Sequence, residues 1–533
     1  FQELVVANFN RGIYRRDFLK GLGATAAGLC ALGQWNPLAI ASQMNEQPKM
    51  GGKLRAAITP GILSLDGRNV SGVQSFQLGY NFYNKLIRWV FDNNKLKIVG
   101  DLAESWEFED ETTLVFHLKD NVKFHNGEIL TAEDVAHTFN TTLDPKNRHS
   151  LIVMMQGLKE VEARDPLTAV FRTGNRPFGP ILGSLASYHG IVSKKADMEQ
   201  DMRRNPVGTG PFKLVEWVDG DHITMVRHEQ YFKKGLPYLD EIRWDIVPDA
   251  SVKVSGLETG QFQWIDRIPP MDVARFERDK RIKVVKTPPG GFQWYVCFNV
   301  KQEPFNNPKV RQALVWAFPA QDIIEVALFN TAKRTDGQGL NGALYGWDIS
   351  VPDPYQTGPD FDKAKKLLNE AGVGKFSAVS WVERGETQEL RALEVTADAY
   401  SKVGVDLEIR VIEEARLFDE VARKDNFGIH TQAISGFVDP DQILYISFHT
   451  GLFFNWSNWS DPRTDELLET GRFSTDRNVR MNAYNALYRE VLFPQVPQYF
   501  YAWQEVPYGM RANVTGFPPI PNLEAYMEQV GFI

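Results

Sequence analysis

Cysteine is almost missing from this chain: Cys30 and Cys297 are the only two in 533 residues. With residues 1–41 removed as a leader, as argued below, Cys297 is the sole thiol, so no intrachain disulfide can form. An oxidising compartment permits disulfides without requiring them, and a chain this long can bury a sufficient core without one. Long hydrophobic runs are equally scarce. After Ser42 the apolar stretches, such as Leu151 to Met155 and Val310 to Phe318, are short and soon interrupted, well below the 18 or so residues that span a bilayer. Basic excess is lacking too: residues 1–41 carry four basic and two acidic side chains, so the net charge of −8 becomes −10 for the rest. That sign is wrong for a nucleic-acid surface, which needs clustered Lys and Arg to replace phosphate counterions.

Catalytic signatures are absent as well. There is no G-x-S-x-G elbow, no H-E-x-x-H, no G-x-x-x-x-G-K-[ST] and no C-x-x-C. Val207-Gly208-Thr209-Gly210-Pro211 is rich in glycine, but Pro211 and the strand pattern after it do not make the helix start that a phosphate loop requires, and a tight turn is expected. The nine histidines are scattered. His222 and His228, the nearest pair, share one face of a predicted strand without being close, so no metal and no cofactor is expected. Asp and Glu are too plentiful for any chosen pair to be called catalytic, and no catalytic residue is assigned.

What is present begins with a leader. Tyr14-Arg15-Arg16-Asp17-Phe18-Leu19-Lys20 precedes a short apolar tract of small residues, and Ala39-Ile40-Ala41 offers a small-x-small cleavage site before Ser42. That order is the order of a cleaved export signal. Arg15 and Arg16 with Phe18 and Leu19 resemble a twin-arginine signal, whose pathway carries folded proteins to the periplasm. The rivals are a retained anchoring helix and a lipoprotein cysteine at Cys30; bulky Leu29 and the place of Cys30 inside the apolar tract argue against acylation.

The remaining residues read as mixed α and β. Leu114 to Leu118 has strand composition, with Val122 and Phe124 beyond a turn at Lys119-Asp120-Asn121, and Thr131 to Asp134 caps a helix through Phe139. Phe212 to Val218 and Ile223 to Val226 flank Asp219-Gly220, a hairpin signal. Phe361, Ala364, Leu367, Leu368 and Ala371 follow a helical period that stops at Gly372. Pro288-Pro289-Gly290-Gly291 breaks the chain before the apolar stretch Phe292 to Phe298, and Val496 to Trp503 is a second extended stretch. Read as the two crossings of a hinge, these divide the chain into a leader (1–41), a first lobe (42–290) with an inserted subdomain over about 71–205, a second lobe (291–495) and a return to the first (496–533). A two-segment hinge lets rigid lobes close over a ligand.

Gly100-Asp-Leu-Ala-Glu-Ser-Trp106, Leu114-Val-Phe-His-Leu-Lys119, Val122-Lys-Phe-His-Asn-Gly127 and Leu130-Thr-Ala-Glu-Asp-Val135 resemble the N-terminal signature of the family 5 extracellular solute-binding proteins. Pro206 to Phe212, Val438-Asp439-Pro440 and Trp459 to Asp465 resemble its later landmarks, in the right order from Gly51 to Phe517. The resemblance implies the α/β fold of periplasmic binding proteins, with two lobes, an extra subdomain and a two-segment hinge. It also implies a non-enzymatic receptor for an ABC importer, a membrane permease with its ATPase. Its ligand would be a peptide, opine, sugar or metal chelate held between the lobes, and a monomer is expected. A periplasmic enzyme and a chaperone-like or structural protein are the alternatives.

Candidate ligand contacts are Tyr83, Trp294, Gly436, Phe437, Asp439, Trp456, Trp459 and Tyr501, chosen among the 12% of aromatic residues and around the Asp-Pro landmark. In peptide-binding members the first acid before that landmark pairs with the ligand's ammonium; the matching residue here is Gly436. Either another acid such as Asp439 substitutes, or the ligand has no free amine, because an unpaired buried ammonium costs several kcal/mol by order of magnitude. Ordinary free dipeptides and tripeptides are therefore expected to be poor ligands. Asp439 also suits a turn before Pro440, and core positions compete with ligand roles for Trp294, Trp456, Trp459 and Tyr501.

Overall fold

Asp134 accepts from the Thr131 amide at 2.9 Å and starts the helix Ala132–Leu143, as the cap signal requires, although the helix runs four residues past Phe139. These positions come from a computed structural model that describes residues 48–533 apart from 70–72, 93–94, 156, 289, 340–346, 348, 414–426, 436 and 521–522. Arg15, Arg16, Phe18, Leu19 and Gly436 lie outside the described residues. Among the described residues no helix is long and apolar enough to cross a membrane.

The largest sheet has seven strands in the order Ile282–Lys286, Pro507–Arg511, Trp264–Ile265, Lys53–Ile58, Glu241–Ile246, His222–Arg227, Phe212–Val218. Lys53–Ile58 pairs in parallel with Glu241–Ile246, while the last two strands form the expected hairpin around Gly220, whose φ of 70° favours glycine. Between its strands Lys53–Ile58 and Phe212–Val218 the chain builds a separate antiparallel sheet, Ala103–Asp110, Thr113–Leu118, Thr168–Arg172 and Glu160–Asp165 in spatial order. Its inner residues Leu114, Phe116 and Phe171 pack on Val135 and Phe139 of the helix.

A second region is centred on the four-stranded sheet Ala332–Arg334, Gln498–Gln504, Phe292–Phe298, Ile429–Ser435. The two extended stretches singled out in the sequence are thus antiparallel neighbours, with Val296 opposite Tyr499. The chain enters this sheet from the seven-stranded one after Lys286 and returns to it at Pro507. Helix Phe361–Glu370 precedes Gly372 at φ 70°, as read. One expectation needs correction: Gly208 and Gly210 are not turn glycines. A Cβ on either would overlap the backbone of Phe82, and the Gly210 amide donates to the Phe82 carbonyl at 2.9 Å, so close chain approach requires them.

Candidate functional site

Helix Thr387–Ser401 packs on the parallel strands Phe376–Glu383 and Val405–Ile412 and on the edge strand Ile429–Ser435, with Ala392, Leu393, Thr396, Ala399 and Tyr400 all buried. Counting back three and four residues along that stripe reaches Glu389, an acid where the period calls for an apolar side chain. Its Oε1 accepts from the Ala433 amide at 3.4 Å, near the end of the edge strand Ile429–Ser435. Burial pushes the Glu389 carboxyl well above its ordinary value, and repulsion from Glu386 and Glu383 adds to this, while the Ala433 amide and Arg267 act against it. Among the described residues no Lys or Arg forms an ion pair with Glu389.

Arg267 belongs to the other region, directly after strand Trp264–Ile265, with its backbone at φ 37°. Its neighbour Asp266 is fully buried and accepts from Lys253 Nζ at 2.7 Å and from the Thr59 hydroxyl at 2.8 Å. Burial alone would raise the Asp266 pKa; Lys253 and Arg267 outweigh it and hold the carboxyl below its usual range. Arg267 Nε is 3.8 Å from Asp266 and keeps about a quarter of its side chain exposed.

The two regions also meet along a second line. Gly183, in the helix Ile181–Ser187, lies where an added Cβ would be 3.9 Å from Asp439 Cβ and 3.8 Å from the Trp89 ring. A Cβ at Gly179 would overlap the Arg472 carbonyl, and Arg176 pairs with Glu469 at 3.4 Å. Asp439 itself caps the helix Pro440–Phe448, accepting from the Asp441 amide at 2.9 Å, and forms a buried ion pair with Arg480. Asp441 holds Arg472 at 2.7 and 2.8 Å, with the guanidinium over the Tyr445 ring. Asp439 is therefore satisfied by the protein and is not a free acid for an ammonium.

The other candidates are distributed among packed clusters. Trp294 and Tyr501 are buried together, ring centroids 6.4 Å apart, with Trp294 Nε1 donating to Gln504 at 2.8 Å. Phe437 and Trp456 are buried in a neighbouring cluster, Trp456 against Phe453 and Phe454. Trp459 is partly buried, and its Nε1 donates to Thr464 at 2.9 Å. Tyr83 is buried in the other region, beside Gly190 and Gly208. His222 pairs with Glu216 and Asp221, and His228 packs against His125. Among the described residues no group of three or more metal-ligating side chains forms.

Residues 97–455 match the family model of bacterial extracellular solute-binding proteins, family 5. A glutathione-binding protein of Pectobacterium atrosepticum is 28% identical over 483 residues, 87% of this chain and 91% of that protein. The dipeptide-binding protein of Escherichia coli K12 is 29% identical over 486 residues, 84% and 88% of the two chains. Among solved structures, the oligopeptide-binding protein AppA of Bacillus subtilis, in complex with a nonapeptide, superposes with a TM-score of 0.80 at 24% identity, covering 91% of this chain and 100% of its own. The binding protein AgaA of A. tumefaciens R10, in complex with agropinic acid, gives 0.79 at 24%, covering 90% and 99%.

Proposed function

The chain belongs to the bacterial extracellular solute-binding proteins of family 5, and on that premise we propose that it is a periplasmic receptor that captures a peptide-like or other small organic solute and delivers it to an ABC importer. The observation that carries this reading is the double crossing: the chain passes between its two large sheets just before strand Phe292–Phe298 and just after strand Gln498–Gln504, and there the Thr287 amide donates to the Val506 carbonyl at 3.0 Å and the Val506 amide to the Thr287 hydroxyl at 2.9 Å. Two adjacent crossings restrict relative motion to a hinge. On this reading residues 42–290, with an inserted subdomain over about 71–205, make one lobe together with the chain from Pro507 on, and 291–495 the other; strand Gln498–Gln504, assigned from the sequence to the return to the first lobe, pairs instead within the second sheet. The solute binds between them and must favour the closed state over the open one, since only differential affinity shifts that equilibrium.

The receptor acts as a monomer without catalysis; permease and ATPase do the transport. Export runs through the twin-arginine pathway. Native mass spectrometry of the exported protein, followed by calorimetric titration with the solute that co-purifies, tests the receptor reading. Saturable binding without turnover is expected. Conversion of the solute by pure protein would replace the reading with an enzyme, and broad weak binding to unfolded chains would replace it with a chaperone. Normal periplasmic accumulation of Arg15→Lys/Arg16→Lys would overturn the export route, because recognition there depends on the arginine fork.

A further inference from the structure

We propose that the inserted subdomain latches the closed receptor, and that Gly179, just before helix Ile181–Ser187, is a positioning residue whose missing side chain lets the subdomain seat on the second lobe. This rests on the receptor reading and adds a place, apart from the solute, where the two lobes hold each other. Gly179 is a glycine that its own segment does not need. It is not among the residues with positive φ, so alanine fits its backbone conformation. The three atoms nearest to an added Cβ all belong to Arg472 of the second lobe, and the Cβ would overlap the carbonyl oxygen among them. Within the subdomain nothing closer than an ordinary contact opposes a methyl group. Neither side of this contact can retreat. Phe178 is buried in the subdomain core, its amide donates to the Glu111 carbonyl at 2.8 Å, and Ile181 is buried on the other side of Gly179. Arg472 ends helix Pro462–Arg472 with its guanidinium held by Asp441 at 2.7 Å.

The same seam is built to part. Asp439 and Asp441 are each neutralised inside the second lobe, by Arg480 and Arg472, so separation of the lobes strands no buried charge. The ion pair that crosses, Arg176 with Glu469 at 3.4 Å, has about half of each side chain exposed, and water replaces such a pair easily. Apolar contact is small: the Arg176 guanidinium lies over the Phe473 ring at 4.5 Å, and Met154 packs on the second lobe's core. Fit between two rigid surfaces therefore holds the seam, and a methyl group standing in it removes the fit. A receptor whose solute-tight state is closed loses apparent affinity by the fraction that can no longer close.

Closure can be trapped chemically, with no solute present. Arg176→Cys and Glu469→Cys in the full exported protein put thiols on the two rims of the seam, and bis-maleimides of graded length join them at a rate set by the closed fraction. Cys297 is buried and does not compete. Adding Gly179→Ala should slow the intramolecular link about tenfold or more, while the urea midpoint stays that of the parent, as for a receptor that rests open. Adding Gly183→Ala should leave the rate unchanged, because its methyl would stand 3.8 Å from Trp89 and 3.9 Å from Asp439, at ordinary contact. No link in the parent at any length, an unchanged rate with Gly179→Ala, or equal slowing by Gly183→Ala would overturn the latch. A midpoint that falls together with the rate would overturn it too, by making the seam permanent packing. The receptor reading stands or falls separately, on whether the exported protein binds a solute saturably.

Discussion

Asp439 caps the helix Pro440–Phe448 and, with the same carboxylate, holds the buried guanidinium of Arg480. Arg480 is fixed further by donating Nε to the Gly471 carbonyl at 2.9 Å and by stacking near Trp347. An Asp-Pro pair that reads as a turn is therefore the keystone of a helix pair, since helices Pro462–Arg472 and Arg477–Ala486 are tied through Arg480 to the start of a third.

Breaking that pair on one side should leave an uncompensated buried charge. Asp439→Ala is expected to lose about 3–5 kcal/mol of stability, including about 1 kcal/mol from the cap. Arg480→Met should lose a similar amount, and the double variant should recover part of it. Urea unfolding of the three variants measures this; losses that simply add would mean that the two residues act independently.

His189 gives a pH dependence of definite sign. Burial holds its ring well below the ordinary value, at about 3. The unfolded chain takes up a proton near pH 6.5 that the folded chain refuses until about pH 3, so His189 subtracts stability progressively as pH falls through that range. The slope is about 1.4 kcal/mol per pH unit. His189→Asn, chosen because Asn tolerates the φ of 77°, should lose stability less steeply by that amount between pH 5.5 and 4. Parallel curves for variant and wild type would show that the ring is already charged in the folded state.

Gly208 and Gly220 should respond differently to the same substitution. At Gly208 a methyl meets the Phe82 carbonyl, which ends the helix Val73–Phe82 and accepts from the Gly210 amide and so cannot move freely, and Gly208→Ala is expected to cost about 3 kcal/mol. At Gly220 nothing lies within 4 Å of the new atom, and only the φ of 70° resists it, at about 1 kcal/mol. Thermal unfolding of the pair gives the order; a reversed order would contradict the close approach at Phe82.

Trp294 should behave as core. Its burial, its contact with Tyr501 and its bond to Gln504 predict a loss of about 3–5 kcal/mol for Trp294→Ala. Solute affinity should fall only as far as lost stability explains. Calorimetry well below the melting temperature separates the two, and a loss of affinity in a protein that remains fully folded would return Trp294 to the ligand.

Much of the framework was legible because it rests on local chemistry. The cap at Thr131, the Asp219-Gly220 hairpin and the stop at Gly372 each depend on a few adjacent residues. The extended stretches at Phe292 and Tyr499 were legible as apolar runs beside turn residues. Their pairing across more than two hundred positions was not written in either run, and the hinge reading did not supply it. Gly208 and Gly210 misled, because a glycine needed for close approach looks the same in sequence as one needed for a turn.

Strand Pro507–Arg511 lies between Ile282–Lys286 and Trp264–Ile265, and Lys85 is buried against Glu524, 439 positions later. The largest sheet is therefore incomplete until Arg511 has left the ribosome. At about 5–20 residues per second, the roughly 225 residues between Lys286 and Arg511 leave an open sheet edge exposed for about 10–45 seconds. A nascent chain in that state needs a chaperone to shield it, and a premature stop within the final thirty codons would damage the lobe built first as much as the end of the protein.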